Sequence, residues 1–137
     1  PAYQQGLLPL ALLLSRTRGV PDVAYDANPG TGVPVYDTFG YSGWIEIGGT
    51  SMGAPQWAAL IAIANSMRVP AGKAPLSASS ILPGIYSTAF GSGLHDVTIG
   101  NNGSCGALCN AKKEYDFITG EGSPRASNLI PALAALP

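Results

Sequence analysis

The run Gly48-Gly49-Thr50-Ser51-Met52-Gly53-Ala54-Pro55 joins a hydroxyl to the backbone types that could make it react. A serine hydroxyl is a poor nucleophile until a base takes its proton and donors await the developing oxyanion. A strand ending in two glycines, leading into a helix, would set Ser51 in the first helical turn, at the positive end of the dipole. The glycines let backbone approach a substrate closely, and the Ser51 N–H could face an oxyanion. Pro55 is tolerated near a helix start, where its missing N–H would be unpaired anyway. The plainer reading is that Thr50 or Ser51 only caps a helix. The full octet, fused to a long Ala-rich segment, favours the nucleophile.

The flanking pattern supplies the elements that would position it. Residues 44–47 read as an extended segment running into the glycines, and residues 51–68 carry apolar side chains at Trp57, Leu60, Ile61, Ala64 and Met67, a helical period. That helix is apolar nearly all round, so it is expected to run buried through an α/β domain. Residues 20–27 and 33–36 read as strands around the turn 28–32, and residues 127–136 as a short helix with Pro131 in its first turn. Residues 74–103 read mainly as loop, anchored by 81–86 and by Ala89 and Phe90.

The 137 residues, 46% hydrophobic and 11% charged, suffice for one domain or a piece of one, with 18 glycines and 12 prolines marking many tight turns. Seven Lys plus Arg against eight Asp plus Glu give a net charge of −1 without a basic run, which argues against nucleic acid or an anionic membrane as partner. So few charges suggest tolerance of acid. The apolar stretch 7–14 contains Pro9 and falls far short of the ~20 residues that span a bilayer. Lacking a preceding basic residue, it does not read as a signal peptide either. A core strand or helix is expected there, and the first residues look like the middle of a domain.

Cys105 and Cys109 stand four apart. A zinc site would need two further soft or imidazole ligands, and His95 is the one histidine, so a local disulfide is favoured over free thiols or metal. Such a bridge would pin one surface turn and imply an oxidising compartment. The acids ahead of Ser51 are Asp22, Asp26, Asp37 and Glu46. The first two read as hydrogen-bonding residues at strand ends, and Glu46 lies too near Ser51 in sequence for a base carried on a separate helix.

The octet resembles the nucleophile motif shared by subtilisins and sedolisins, the serine-carboxyl peptidases. A subtilisin takes its histidine from earlier in the chain, whereas His95 follows Ser51. Sedolisins use a Glu and an Asp instead, and two further stretches resemble theirs: residues 18–29 (Arg-Gly-Val-Pro-Asp-Val-Ala-Tyr-Asp-Ala-Asn-Pro) and residues 115–124 (Tyr-Asp-Phe-Ile-Thr-Gly-Glu-Gly-Ser-Pro). Three motifs in the right order cover nearly the whole chain, with residues 7–15 and 112–114 as the departures.

The resemblance implies a subtilisin-like three-layer α/β sandwich with a mainly parallel sheet, of which residues 1–137 form the C-terminal portion. It implies an endopeptidase acting at acidic pH through an acyl-enzyme on Ser51, secreted, with protein or peptide substrates and a propeptide. The family's upstream Glu and Asp, and the Asp that completes its oxyanion hole, have no counterpart before Ser51, so the chain alone is expected to be inactive. One structural calcium ion is implied within about residues 94–124, held by the Asp96 and Asp116 side chains and the carbonyls of Val97, Lys112 and Glu114. Lys112 and Glu114 replace family glycines. If those glycines need positive φ the loop is strained, although any residue's carbonyl can ligate. Without the resemblance, Asp96 and Asp116 read as turn or cap residues. The competing readings are a subtilisin-like fragment, with Asp and His upstream, and a truncated relative that does no catalysis.

Overall fold

The computed structural model describes residues 1–9, 17–87 and 91–137. Residues 10–16, which hold most of the expected element at 7–14, and the Ala89-Phe90 anchor lie outside the described residues. Leu8, at the start of that stretch, is buried.

Strand β1 (Val33–Asp37) pairs antiparallel with β2 (Gly43–Ile47), in a register that sets Val33 opposite Ile47 and Tyr36 opposite Trp44. A second ladder joins β3 (Leu94–His95) to β4 (Ser123–Pro124), also antiparallel. The mainly parallel sheet expected from the resemblance is therefore overturned: the described residues form two small antiparallel sheets. The cause is local. The connection 38–42 is a short hairpin loop, whereas a parallel pair needs a crossover of about a dozen residues or more. Residues 20–27, expected as a strand, join no ladder. Their bonds are single ones, Ala24 N–H to the Gly122 carbonyl and Glu121 N–H to the Asp22 carbonyl.

Helix α1 (Thr50–Arg68) follows the second glycine directly, α2 (Ala78–Ile85) occupies part of what reads in sequence as loop, and α3 (Ala126–Ala135) closes the chain. Pro131 falls in the second turn of α3 rather than the first. The core is where α1, α2 and α3 meet, at Ala64, Ile81, Ile85, Leu129 and Leu133, with Trp57, Leu60 and Leu94 packed around it. Leu129 and Leu133 are 0% exposed, and by area each stabilises the fold by roughly 1.5–3 kcal/mol.

Arg68 fastens the end of α1 to the end of α3. Buried at 2% exposure, it donates to the carbonyls of Ala74, Ala134, Leu136 and Pro137. The Ala134 carbonyl, in the last turn of α3, and those of Leu136 and Pro137 beyond it accept no intrahelical bond, which is why a buried guanidinium is stable here.

The expectation that α1 is buried on most sides does not hold. Only Gly53, Ala64 and Arg68 of its nineteen residues are buried, and Ile63 and Met67 are 50% and 49% exposed. Its apolar circumference exceeds what α3, α2 and the 22–25 segment cover. Trp44 at 72% and Phe39 at 93% add to an exposed apolar surface on the hairpin.

Candidate active site and cation site

The two glycines before the serine have different jobs. A Cβ on Gly48 would lie 2.5 Å from the Pro29 nitrogen and 2.6 Å from its Cα, because two backbone segments touch there. Gly49 has φ 97° and ψ 158°, a conformation open essentially to glycine alone, and its N–H donates to the Ala27 carbonyl at 2.7 Å. Gly48→Ala should cost about 2–3 kcal/mol, since backbone on both sides must shift. Urea denaturation checks it; a change under ~0.5 kcal/mol would show that the contact is soft.

Gly49 is also the N-cap of α1, and no side chain caps the helix. Thr50 and Ser51 therefore lie inside the helix, one and two residues past the cap position. Ser51 is exposed in the first turn, and among the described residues its hydroxyl has no hydrogen-bond partner. Its N–H is one of the orphan donors of a nineteen-residue helix, so the serine sits where backbone dipoles favour negative charge. A groove of about 670 Å³ runs between residues 21–27, α1 and Ile118-Thr119, lined by Ala24, Tyr25, Thr50, Gly53 and Trp57 but not by Ser51 itself. Trp57 Nε1–H donates to the Ala24 carbonyl at 3.1 Å and so fixes the width of that groove.

Among the described residues no hydrogen bond joins an acid to Ser51. Asp22 is paired with Arg18 and accepts the Tyr86 hydroxyl, Asp26 accepts the Asn28 N–H, and Asp37 accepts the Phe39 N–H. Glu46 is exposed on β2, and His95 Nδ1 lies 3.2 Å from the Arg125 guanidinium beside the β3–β4 ladder. Asp22 is the acid whose structural reading has the fullest support, since Gln4, at 1% exposure, ties Gly19 to the same Tyr86 hydroxyl.

The second constellation forms around residues 94–124. Asp116, 1% exposed, accepts four bonds: from Lys112 N–H at 3.1 Å, Ile118 N–H at 2.9 Å, Thr119 N–H at 2.7 Å and Thr119 Oγ1 at 3.1 Å. Burial by itself would raise its carboxyl pKa, but the donors from Thr119, Ile118 and Lys112 outweigh it and hold the group below the ordinary aspartate value. Asp96 Oδ2 accepts the Glu114 N–H at 2.8 Å, while Asp96 Oδ1 is buried with no hydrogen-bond partner. Glu114 has φ 66°, the one non-glycine at positive φ among the described residues. So one of the two replaced glycines does occupy the left-handed region, and Lys112 does not.

Sequence reasoning missed Glu121. It lines a cavity of about 160 Å³ together with Asp96, Glu114 and Leu94. Its carboxyl is pushed up by burial and then by the charges of Asp96 and Glu114. Nothing in its local sequence pointed there, because Asp96 is far away along the chain.

An orphaned carboxylate oxygen beside a second, fully held carboxylate suits a hard cation. Among the described residues no three His, Cys, Asp or Glu side chains form a group that could hold a metal ion, so an ion here would need backbone carbonyls beside the two carboxylates. Nearby, Cys105 and Cys109 are bonded to each other, with Cα atoms 5.3 Å apart, as the spacing suggests.

Known proteins resemble this chain over most of its length. Sedolisin of Pseudomonas sp. (strain 101) is 40% identical over 111 residues, 77% of this chain and 17% of that protein. Kumamolisin of Bacillus sp. (strain MN-32) is 36% identical over 119 residues, 85% of this chain and 20% of the relative. Among solved structures, Pseudomonas sedolisin, a serine-carboxyl proteinase complexed with two molecules of pseudo-iodotyrostatin, superposes with a TM-score of 0.67 at 33% identity. It covers 96% of this chain, which covers 33% of it. No family model matches. The chain belongs to the sedolisin family of serine-carboxyl peptidases. It spans 17% and 20% of the length of these two curated relatives.

Proposed function

We propose that this chain is the nucleophile-bearing C-terminal part of a serine-carboxyl endopeptidase, in which Ser51 Oγ attacks a peptide carbonyl and forms an acyl-enzyme. The single observation that carries the reading is the exposed, uncapped first turn of α1 behind two sterically required glycines. The Ser51 N–H lies where it can stabilise the tetrahedral oxyanion. Its hydroxyl proton passes to a carboxylate base outside residues 1–137, as the relatives' name of serine-carboxyl proteinase suggests. A carboxylate does that work best in acid, where its pKa is near the ambient pH.

One calcium ion would be held by the Asp96 and Asp116 carboxylates and the carbonyls of Val97, Lys112 and Glu114. When bound it supplies structure, drawing the 112–116 loop onto the segment after β3. The buried, unpartnered Asp96 oxygen supports this. The disulfide supports an oxidising, extracellular destination. No described helix is long and apolar enough to cross a membrane. Partners are a protein or peptide substrate, the rest of the catalytic domain, which also supplies the oxyanion Asp, and a propeptide.

A fluorogenic peptide assay near about pH 4 tests the division of labour. The chain alone should give no turnover, since losing a serine hydrolase's base costs several orders of magnitude. Turnover that disappears in Ser51→Ala of the isolated chain would show that the base is present after all.

A further inference from the structure

Of the two carboxylates proposed as ligands only Asp96 lines the cavity beside it, and two further acids join it there. Asp96, Glu114 and Glu121 all line its roughly 160 Å³. Among the described residues the one ion pair is Arg18–Asp22, so none of these three acids has a cationic partner, although Lys112 and Lys113 are close in sequence. The Asp96 oxygen that would meet an ion is buried without a donor. Glu114 holds a left-handed conformation and lines this cavity, adding a carboxylate to its wall.

We propose that the Glu114 and Glu121 carboxylates raise the affinity of this site for a divalent cation, acting across the cavity as charge rather than as direct ligands. The proposal rests on the calcium reading above and concerns what this chain adds to it. Calcium affinity is tuned by the number of carboxylates around the ion, and a charge in the wall of the same cavity is only partly screened. A conformation that few side chains adopt freely is tolerable here because the Glu114 amide is held by Asp96.

The test is isothermal titration of the whole chain with calcium chloride at neutral pH after dialysis against EDTA, with thermal melting alongside. The wild-type chain should take up one ion. Glu121→Gln and Glu114→Gln, both in the cavity wall, should each weaken the Kd about tenfold. Glu114→Gly should weaken it similarly while raising the metal-free Tm, because glycine relieves the positive φ. Asp96→Asn should remove measurable binding. If Asp96→Asn abolishes binding while the Glu variants bind as tightly as wild type, the charge proposal fails and the calcium reading stands. If the wild-type chain binds no calcium, both fail.

Discussion

Ser51→Ala in the assembled enzyme is expected to lower kcat/KM by at least about four orders of magnitude, with a fold as stable as the parent's. The loss is large because Ser51 joins the first turn of a helix without a side-chain cap to a hydroxyl with no hydrogen-bond partner among the described residues. Stability should hold because the Ser51 hydroxyl makes no hydrogen bond among the described residues, so its removal leaves nothing unpaired. The expected split is a collapse of kcat with little change in KM, read by progress curves at acidic pH. A Tm within a degree or so of the parent would separate lost chemistry from lost fold.

The largest stability effect should come from Asp116. Asp116→Ala leaves the amides of Lys112, Ile118 and Thr119 without their acceptor in a buried loop and should cost ~3–5 kcal/mol. Asp116→Asn should cost less, about 2 kcal/mol, because its oxygen can still accept from Ile118 and Thr119 while its NH2 faces the Lys112 N–H, donor against donor. The pH dependence has a definite sign. The Asp116 pKa is depressed on folding, so its contribution is complete above the ordinary value of 3.8 and is lost as pH falls through the lower folded value. Glu121 runs the other way: its pKa is raised above 4.5, chiefly by burial, so in EDTA its ionisation destabilises the fold near neutrality and that penalty disappears on acidification. Chemical denaturation in EDTA should therefore show the gap between wild type and Asp116→Asn closing only below about pH 3.8. A gap that closes already at neutral pH would mean that Asp116 is not ionised in the fold.

What could be read in the sequence was whatever is decided by backbone sterics over a few residues. Gly48-Gly49 before a hydroxyl signalled a tight turn, and the structure supplies both reasons, contact with Pro29 and φ 97°. The helix from residue 50, the C-terminal helix and the Cys105–Cys109 bridge are similarly local. The possibility that a replaced glycine needs positive φ was visible from the resemblance, and it applies to Glu114 alone of the two.

Errors arose where the answer depends on partners distant in sequence. An apolar circumference could not tell how much of α1 the neighbouring elements among these residues cover, and Met67, on the apolar period, is 49% exposed. The parallel sheet was inferred from the family, whereas the loop 38–42 is too short for anything but a hairpin. Helix α2 was hidden by Pro83 and a serine-rich start that reads as loop, although Ser77 and Ser80 form a capping box there. Glu121 meets Asp96 only through tertiary folding, and no pattern along the chain announces that.

The central claim is that Ser51 is the atom-donating nucleophile, and a covalent adduct reports it most directly. The assembled enzyme, treated with a serine-directed phosphonate and digested for mass spectrometry, should carry one adduct, on the peptide containing Gly49-Thr50-Ser51-Met52. Fragmentation should place it on Ser51, and Ser51→Ala should take up none. Peptide turnover that survives Ser51→Ala, or inactivation by an adduct on another residue, would contradict the account.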